Sequence, residues 1–195
     1  MNYTGVILVG GRGSRLKNLT QKQAKPLLMI EDKPFLDYLL YYISSFRFDK
    51  IYLLCSYKHK NFFKRYHKKK ILGVDIICIK EKKPMGTAGS LYFLKKKIKK
   101  DFFLFNGDSF FPINLDKFYK FSKKENQIIS IACCKNANYK SNKKISKIAI
   151  KRNKIFFERK TNLMNGGIYF IKKEFLRLLV KKKESLENDY LKKYI

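Results

Sequence analysis

The sequence predicts an α/β domain in which a mostly parallel sheet is covered by helices and followed by a β-rich extension. Three observations predict it. Short runs rich in Ile, Val, Phe and Tyr recur at 4–9, 50–56, 74–80, 102–106, 128–134 and 167–171, each bounded by Gly, Asn, Asp or Lys clusters. Helical patterns separate the early runs. The later runs follow one another with short connections. Strand and helix alternate to about residue 125, which argues for a parallel sheet with ligands outside the carboxyl ends of its strands. The later third reads as an antiparallel addition.

Each element has its own local reason. The first run ends in Gly10-Gly11 and empties into a tight loop. Pro34 can open a helix whose Phe35, Tyr38, Leu39, Tyr42 and Phe46 fall at helical spacing. Thr87 can cap a second helix that runs through Leu91 and Leu94. The lysine runs 68–70, 95–100 and 181–183 are expected at helix ends, where cations are favoured by the last carbonyls. No linker or internal repeat divides the 195 residues, so one domain is expected, with 1–125 as its first half and 126–195 as its second.

Composition excludes several classes. Hydrophobic residues make up 45% of the chain, enough for a core that buries roughly 70% of the unfolded surface at this length. A disordered polycation is therefore excluded, despite a formal net charge of +30. No apolar run approaches the roughly 20 residues that cross a bilayer, and the start lacks a signal-peptide layout, so a cytoplasmic protein without membrane contact is expected. Cys55, Cys78, Cys133 and Cys134 show neither CxxC pairing nor zinc-type spacing with His59 or His67, and read as buried, inert thiols. The charge has two explanations. Lys, Ile, Asn, Phe and Tyr share A/T-rich codons and are abundant throughout, which favours compositional drift over a selected polyanion surface. Segment 58–70 mixes Lys, Arg and His with Phe62, Phe63 and Tyr66, a pattern shared by single-strand binders and amphipathic helices. The amphipathic helix is the expectation, and nucleic acid is not the expected partner.

Chemistry concentrates first at Gly10-Gly11-Arg12-Gly13-Ser14-Arg15. Glycines after a strand let backbone N–H groups turn toward an anion, so the loop is either a phosphate cradle or a plain turn. It matches neither GxGxxG nor a Gly-Lys-Ser/Thr loop. Downstream follow Lys25-Pro26, Glu81 to Gly89 (EKKPMGTAG), Asn106-Gly107-Asp108, Glu158, Asn165-Gly166-Gly167-Ile168-Tyr169 and Ser185-Leu186-Glu187. In that order the set resembles the sugar-1-phosphate nucleotidyltransferases, over essentially the whole chain. The string NGDSFF and Lys33-Pro34-Phe35-Leu36 look most like the heptose 1-phosphate guanylyltransferases within that superfamily.

The resemblance implies a Rossmann-like three-layer sandwich of the nucleotide-diphospho-sugar transferase type. It also implies a reaction in which a sugar 1-phosphate oxygen attacks the α-phosphorus of an NTP, GTP being favoured, and pyrophosphate leaves. The product would be an NDP-sugar for a surface polysaccharide such as lipopolysaccharide or capsule. Such a step needs positioned cations and no covalent nucleophile. Arg15 and Lys25 would neutralise the triphosphate, one as a planar fork and one as a point charge. Asp108, at a strand end, would hold Mg²⁺ between phosphates and is the candidate metal ligand. Gly10, Gly11, Gly13, Ser14, Gly86, Thr87, Ala88 and Gly89 would line the nucleotide, the small residues letting base and ribose lie against backbone. Asn106, Glu158, Arg159, Asn165, Gly166 and Gly167 would meet the sugar phosphate, the glycines admitting the ring.

The sequence departs from the family pattern in places. Arg159 then Lys160 follow Glu158 where Glu-Lys is usual, Ala24 stands where Pro is preferred, and Arg12 replaces an apolar residue. Family members also continue for some tens of residues beyond the Ser-Leu-Glu segment, into a strand with a second metal-binding Asp. Without that segment, Mg²⁺ would rest on Asp108, phosphate oxygens and water, turnover would be impaired and a sheet edge left bare. The alternative function is a non-catalytic relative that binds nucleotide or a polyanion. Neither base, sugar nor oligomeric state is fixed by these residues.

Overall fold

The computed structural model describes residues 2–11, 13, 16, 19–125, 127–135, 148–151, 154–157 and 163–191, with 148–151 and 154–157 as backbone. Eleven strands and five α-helices are assigned within them. They are β1 (Tyr3–Leu8), β2 (Met29–Ile30), β3 (Lys33–Pro34), α1 (Phe35–Ser44), β4 (Phe48–Cys55), α2 (His59–Tyr66), β5 (Lys69–Ile71) and β6 (Val74–Lys80). Then come α3 (Gly86–Gly89), β7 (Phe102–Asn106), α4 (Leu115–Glu125), β8 (Ile129–Lys135), β9 (Ile148–Lys151), β10 (Lys154–Phe157), β11 (Leu163–Ile171) and α5 (Phe175–Leu178). Short 3-10 turns cover Lys25–Leu27 and Ser90–Leu94, and a π-helical segment covers Leu186–Leu191.

A nine-stranded sheet in the order β10-β9-β11-β7-β1-β4-β6-β5, with β8 also on β11, carries the fold. Strands β7, β1, β4 and β6 are mutually parallel, whereas β5, β8, β9, β10 and β11 join antiparallel. The sequence reading of a parallel sheet with a later β-rich addition is thus what the chain forms. After β1 the chain builds outward through β4 and β6, then returns to place β7 on the other side of β1. That reversal is a topological switch, the place where open α/β sheets bind ligands beyond their carboxyl strand ends.

The central strands are apolar on both faces because both are covered. Ile7, Leu53, Ile76, Phe103, Phe105 and Phe170 face one layer, where α1 supplies Leu36, Leu39, Leu40 and Ile43, α2 supplies Phe62 and Tyr66, and α4 begins with Leu115. Val6, Leu54, Leu104, Phe102, Tyr169 and Ile171 face the other, with Leu91, Leu94, Phe175, Leu176, Leu186 and Leu191. Three layers result. Phe103 lies at the centre of the first, its ring 5.3 Å from Tyr3, 5.4 Å from Phe48 and 5.2 Å from Phe170.

Several local expectations need correction. The buried stripe of α1 is Leu36, Leu39, Leu40 and Ile43, and the aromatic residues Phe35, Tyr42 and Phe46 pack at its margin. Thr87 does not cap α3, whose N-cap is Met85, and the helix lasts four residues before it tightens into the 3-10 turn. Lys69 and Lys70 belong to strand β5 and not to a helix end. Cys55 and Cys78 are buried as expected, but Cys133 and Cys134 are half-buried. Burial pushes the Cys133 thiol up to about 11, so it stays a protonated, unreactive group near neutrality.

Segment 58–70 resolves toward its amphipathic reading. Phe62 and Tyr66 are buried under the sheet and Phe63 packs against the same core, so these rings offer no stacking platform to a nucleic acid strand. The Tyr66 hydroxyl donates to Asp37 at 2.5 Å, and Arg65 pairs with the same carboxylate, which pins α2 to α1. Among the described residues no helix is long and apolar enough to cross a membrane.

Glu81, just past β6, is a carboxylate in the core with 5% of its surface exposed. Its backbone N–H donates to the Cys55 carbonyl at 2.9 Å, and its Oε2 accepts from the Met85 N–H at 3.4 Å. Burial raises its pKa above the ordinary 4.5, against the lowering effect of hydrogen bonds from Met85 and Ser90.

Two predictions follow from this packing. Phe103→Ala should cost about 3–5 kcal/mol, read as a lowered urea midpoint; a loss below about 1 kcal/mol would contradict the central place assigned to this ring. Because the folded-state pKa of Glu81 lies above the unfolded one, the native state is penalised as pH rises from 4.5 through the raised value and stays penalised above it. Glu81→Gln removes the penalty. The variant should exceed the parent in stability at pH 7.5, with the gap closing toward pH 4.5; a gap that widens on acidification would reverse the sign.

Candidate functional site

The carboxyl ends of β1 and β7 border a cleft of about 230 Å³ lined by Leu8, Gly11, Gly13, Lys25, Pro26, Thr87, Asn106, Gly107, Asp108 and Glu187. It opens at the topological switch. Leu8 and Asn106 are register partners, and the Gly107 N–H donates to the Leu8 carbonyl at 3.0 Å. A Cβ at Gly107 would stand 2.5 Å from that same oxygen, so only glycine lets the loop after β7 lie on the end of β1. Asp108 is thereby set beside the glycine loop.

The charged pair of the cleft is Lys25 and Asp108, with Nζ 2.8 Å from Oδ2 and the two side chains 37% and 45% exposed. Lys25 enters from the 3-10 turn whose next residue, Pro26, is buried. Gly11 is exposed with open space around the position of its missing side chain, whereas Gly13 adopts φ +63° against Lys25 and Thr20. Gly10 lies behind them, where a Cβ would meet Ser56 at 2.9 Å.

The predicted residues therefore divide. Gly11, Gly13, Lys25, Thr87, Asn106 and Asp108 line one cleft. Ser14, Arg15, Glu158 and Arg159 lie outside the described residues. Gly86, Ala88 and Gly89 have a packing role besides the one the sequence offered. Gly86 has φ +77°, and side chains at Gly86 and Gly89 would collide with the carbonyls of Glu184 and Lys182. The Ala88 and Gly89 N–H groups donate to the Glu184 carbonyl, and Ala88 is buried in the core. Their small size serves the docking of 182–184 on this turn.

A similar correction applies at Asn165-Gly166-Gly167. These residues form a β-bulge inside β11, not a free turn. A Cβ at Gly166 would overlap the Phe111 ring, so that glycine admits an aromatic side chain of the protein itself. Gly167 takes φ +76° against Asn106, and Asn165 folds back to accept the Gly167 N–H at 2.9 Å.

Glu187 is the charged cleft residue to which sequence reasoning assigned no role. Its Oε2 accepts hydrogen bonds from the Thr87 hydroxyl at 2.9 Å and the Ser185 hydroxyl at 3.0 Å, and its Oε1 from Tyr169 at 3.2 Å. Thr87, freed from capping, also accepts the Leu186 N–H at 2.7 Å. A signal was present, since Ser185-Leu186-Glu187 stands in the ordered set of motifs that carries the resemblance.

The donor set suits a phosphorylated ligand with its cation. Among the described residues no group of three His, Cys, Asp or Glu is assembled. A single exposed carboxylate is nevertheless a normal protein share for Mg²⁺, which keeps waters and takes oxygens from substrate phosphates. Asp108 meets that requirement.

Comparison with known proteins agrees with this geometry. The model of the nucleotidyl transferase family matches residues 4–195. A D-glycero-alpha-D-manno-heptose 1-phosphate guanylyltransferase of Campylobacter jejuni is 34% identical over 173 residues, covering 87% of this chain and 76% of that one. A protein of the same description from Aneurinibacillus thermoaerophilus is 33% identical over 59% of this chain and 50% of its own. Among solved structures, HddC from Yersinia pseudotuberculosis complexed with GMP-PN superposes with a TM-score of 0.82 at 26% identity, over 99% of this chain and 87% of that one. The fold is the nucleotide-diphospho-sugar transferase type that the motifs implied, and the chain belongs to the nucleotidyl transferase family, among its sugar-1-phosphate nucleotidyltransferases.

Proposed function

We propose that this protein transfers a guanylyl group from GTP to a heptose 1-phosphate, giving GDP-heptose and pyrophosphate for a surface polysaccharide. The observation that carries the reading is the Lys25–Asp108 pair at the glycine-backed switch point of the sheet. The similarity to two heptose 1-phosphate guanylyltransferases supports the choice of nucleotide and sugar.

In the proposed reaction an oxygen of the sugar phosphate forms a bond to the α-phosphorus of GTP, and the bond from that phosphorus to the bridging oxygen of pyrophosphate breaks. The electron pair leaves with pyrophosphate. No nucleophile from the protein is required, and the protein's part is to place and neutralise charge. The ammonium of Lys25 would take up charge on the phosphates. Asp108 would hold Mg²⁺, whose chemistry when bound is to neutralise phosphate oxygens. Gly11 and Gly13 would let the nucleotide approach the backbone at the end of β1, with Arg15 proposed as a second phosphate cation. The remaining sugar-phosphate residues proposed from the motifs are Glu158 and Arg159.

Thermal unfolding against GTP, CTP, UTP, ATP and dTTP, each with and without Mg²⁺, tests the reading before the sugar is known. GTP with Mg²⁺ should raise the midpoint most, by the equivalent of about 2.7 kcal/mol at 100 times its Kd. Asp108→Asn should lose the Mg²⁺-dependent part of the shift and lower pyrophosphate release on the order of 10³-fold. A shift with none of the five nucleotides, or near-normal turnover in Asp108→Asn, would overturn the proposal.

A further inference from the structure

The hydrogen bonds around Glu187 have their directions set by chemistry. Asn165 accepts the Gly167 N–H through Oδ1, which orients its amide so that Nδ2 donates to the Tyr169 hydroxyl at 2.6 Å. With that lone pair engaged, Tyr169 spends its own proton on Glu187 Oε1 at 3.2 Å. Burial, reinforced by the Glu187 carboxylate, holds the Tyr169 phenol well above its ordinary pKa, so it remains a donor. Thr87 accepts the Leu186 N–H and Ser185 the Asn188 N–H, which leaves each hydroxyl proton for Glu187 Oε2.

The count of acceptor positions then matters. A carboxylate offers about four lone-pair sites. Oε2 has both of its sites filled by Thr87 and Ser185, and Oε1 has one filled by Tyr169. One acceptor position on Oε1 is left, on a residue that lines the cleft beside Asn106 and Asp108. Every hydroxyl around the carboxylate has already committed its proton, so this position cannot be turned into a donor. What fits it is a hydrogen-bond donor of a ligand, and the hydroxyls of a sugar are such donors.

We propose that Glu187 is a specificity-determining residue of the cleft, its Oε1 accepting one ring hydroxyl of the bound sugar 1-phosphate while Tyr169 and Thr87 hold it in place. The inference rests on the nucleotidyltransferase reading and deepens it. The sugar, rather than the ribose, is assigned because Glu187 is fastened through Tyr169 and Asn165 to the bulge of β11, on the far side of β7 from the glycine loop. The bond to Thr87 also ties this carboxylate to the Gly86–Gly89 turn, 100 residues earlier in the chain. Thr87 and Tyr169 act as positioning residues for Glu187.

The test uses the full chain with GTP, and as second substrate D-glycero-alpha-D-manno-heptose 1-phosphate and its monodeoxy analogues. Glu187→Gln keeps the shape but places an NH₂ among donors. It should raise KM for the heptose phosphate about 10- to 100-fold, the worth of one hydrogen bond to a charged group, with the GTP-dependent thermal shift unchanged. One deoxy analogue should be poor for the parent and no worse than heptose phosphate for the variant. Tyr169→Phe, which leaves the carboxylate held by Thr87 and Ser185 but removes the donor that orients Oε1, should move the same KM by a smaller factor, and it carries the test if Glu187→Gln fails to fold. An unchanged KM in a folded Glu187→Gln protein, or a loss of GTP affinity in place of sugar affinity, would overturn the assignment. Absence of turnover by the parent with a normal GTP shift would instead overturn the guanylyltransferase reading beneath it.

Discussion

The contact of Gly107 with the Leu8 carbonyl is the constraint on which the cleft depends. It closes the end of the β1–β7 pair and fixes how near the loop after β7 can come to the loop after β1. Register alone would not do this. Strands β1 and β7 are apolar on both faces, so a one-residue slip would exchange one buried side chain for another and would not expose a polar set. What distinguishes the correct register is shape, with the Phe103 ring among Tyr3, Phe48 and Phe170, and the absence of a side chain at 107. Asp108 and Lys25 inherit their positions from that fit.

A second constraint holds the opposite wall. Segment 182–191 docks on the Gly86–Gly89 turn through the Glu184 carbonyl and through Glu187, and leucines at 186 and 191 anchor it in the core. The wall is therefore built from residues that are 100 positions apart, and a glycine or threonine there has meaning only in the company of the later segment. This explains which parts were legible. Strand 102–106 read correctly because two-sided burial writes a continuous apolar run into the chain, and 74–80 because its buried face alternates Val74, Ile76 and Cys78 with half-exposed residues. Edge strand β5, which is Lys-Lys-Ile, carries no such run and passes for the end of a helix.

The site was legible as an ordered set of motifs, and less so as a set of roles. Gly11, Gly13, Lys25, Asn106 and Asp108 meet where strand ends and glycines said an anion could lie. Gly86, Gly89 and Gly166 were read as room for a ligand, and in the fold a side chain there would also meet Glu184, Lys182 and Phe111. A sequence shows that a position must be small; what occupies the space is a property of the fold. Thr87 makes the same point in a polar residue, since its position before a helix suggested a cap and its partner turned out to be Glu187.

The lysine-rich character of the chain bears on how such a site can be selective. At +30, the molecule as a whole attracts polyanions, and a triphosphate gains general electrostatic attraction from lysines outside the cleft as well as inside it. Added cations distinguish one such place from another poorly, and their effect is screened by salt. The groups that differ from the background are the carboxylates and the glycine-lined backbone. On the proposed function Asp108 would repel a bare phosphate and welcome one that arrives with a cation, and Glu187 would accept a hydroxyl while it rejects a second anion. In a protein this basic, the proposed function would place selectivity for a nucleotide and a sugar phosphate on the two acidic side chains of the cleft, and the lysines would set how fast ligands reach it.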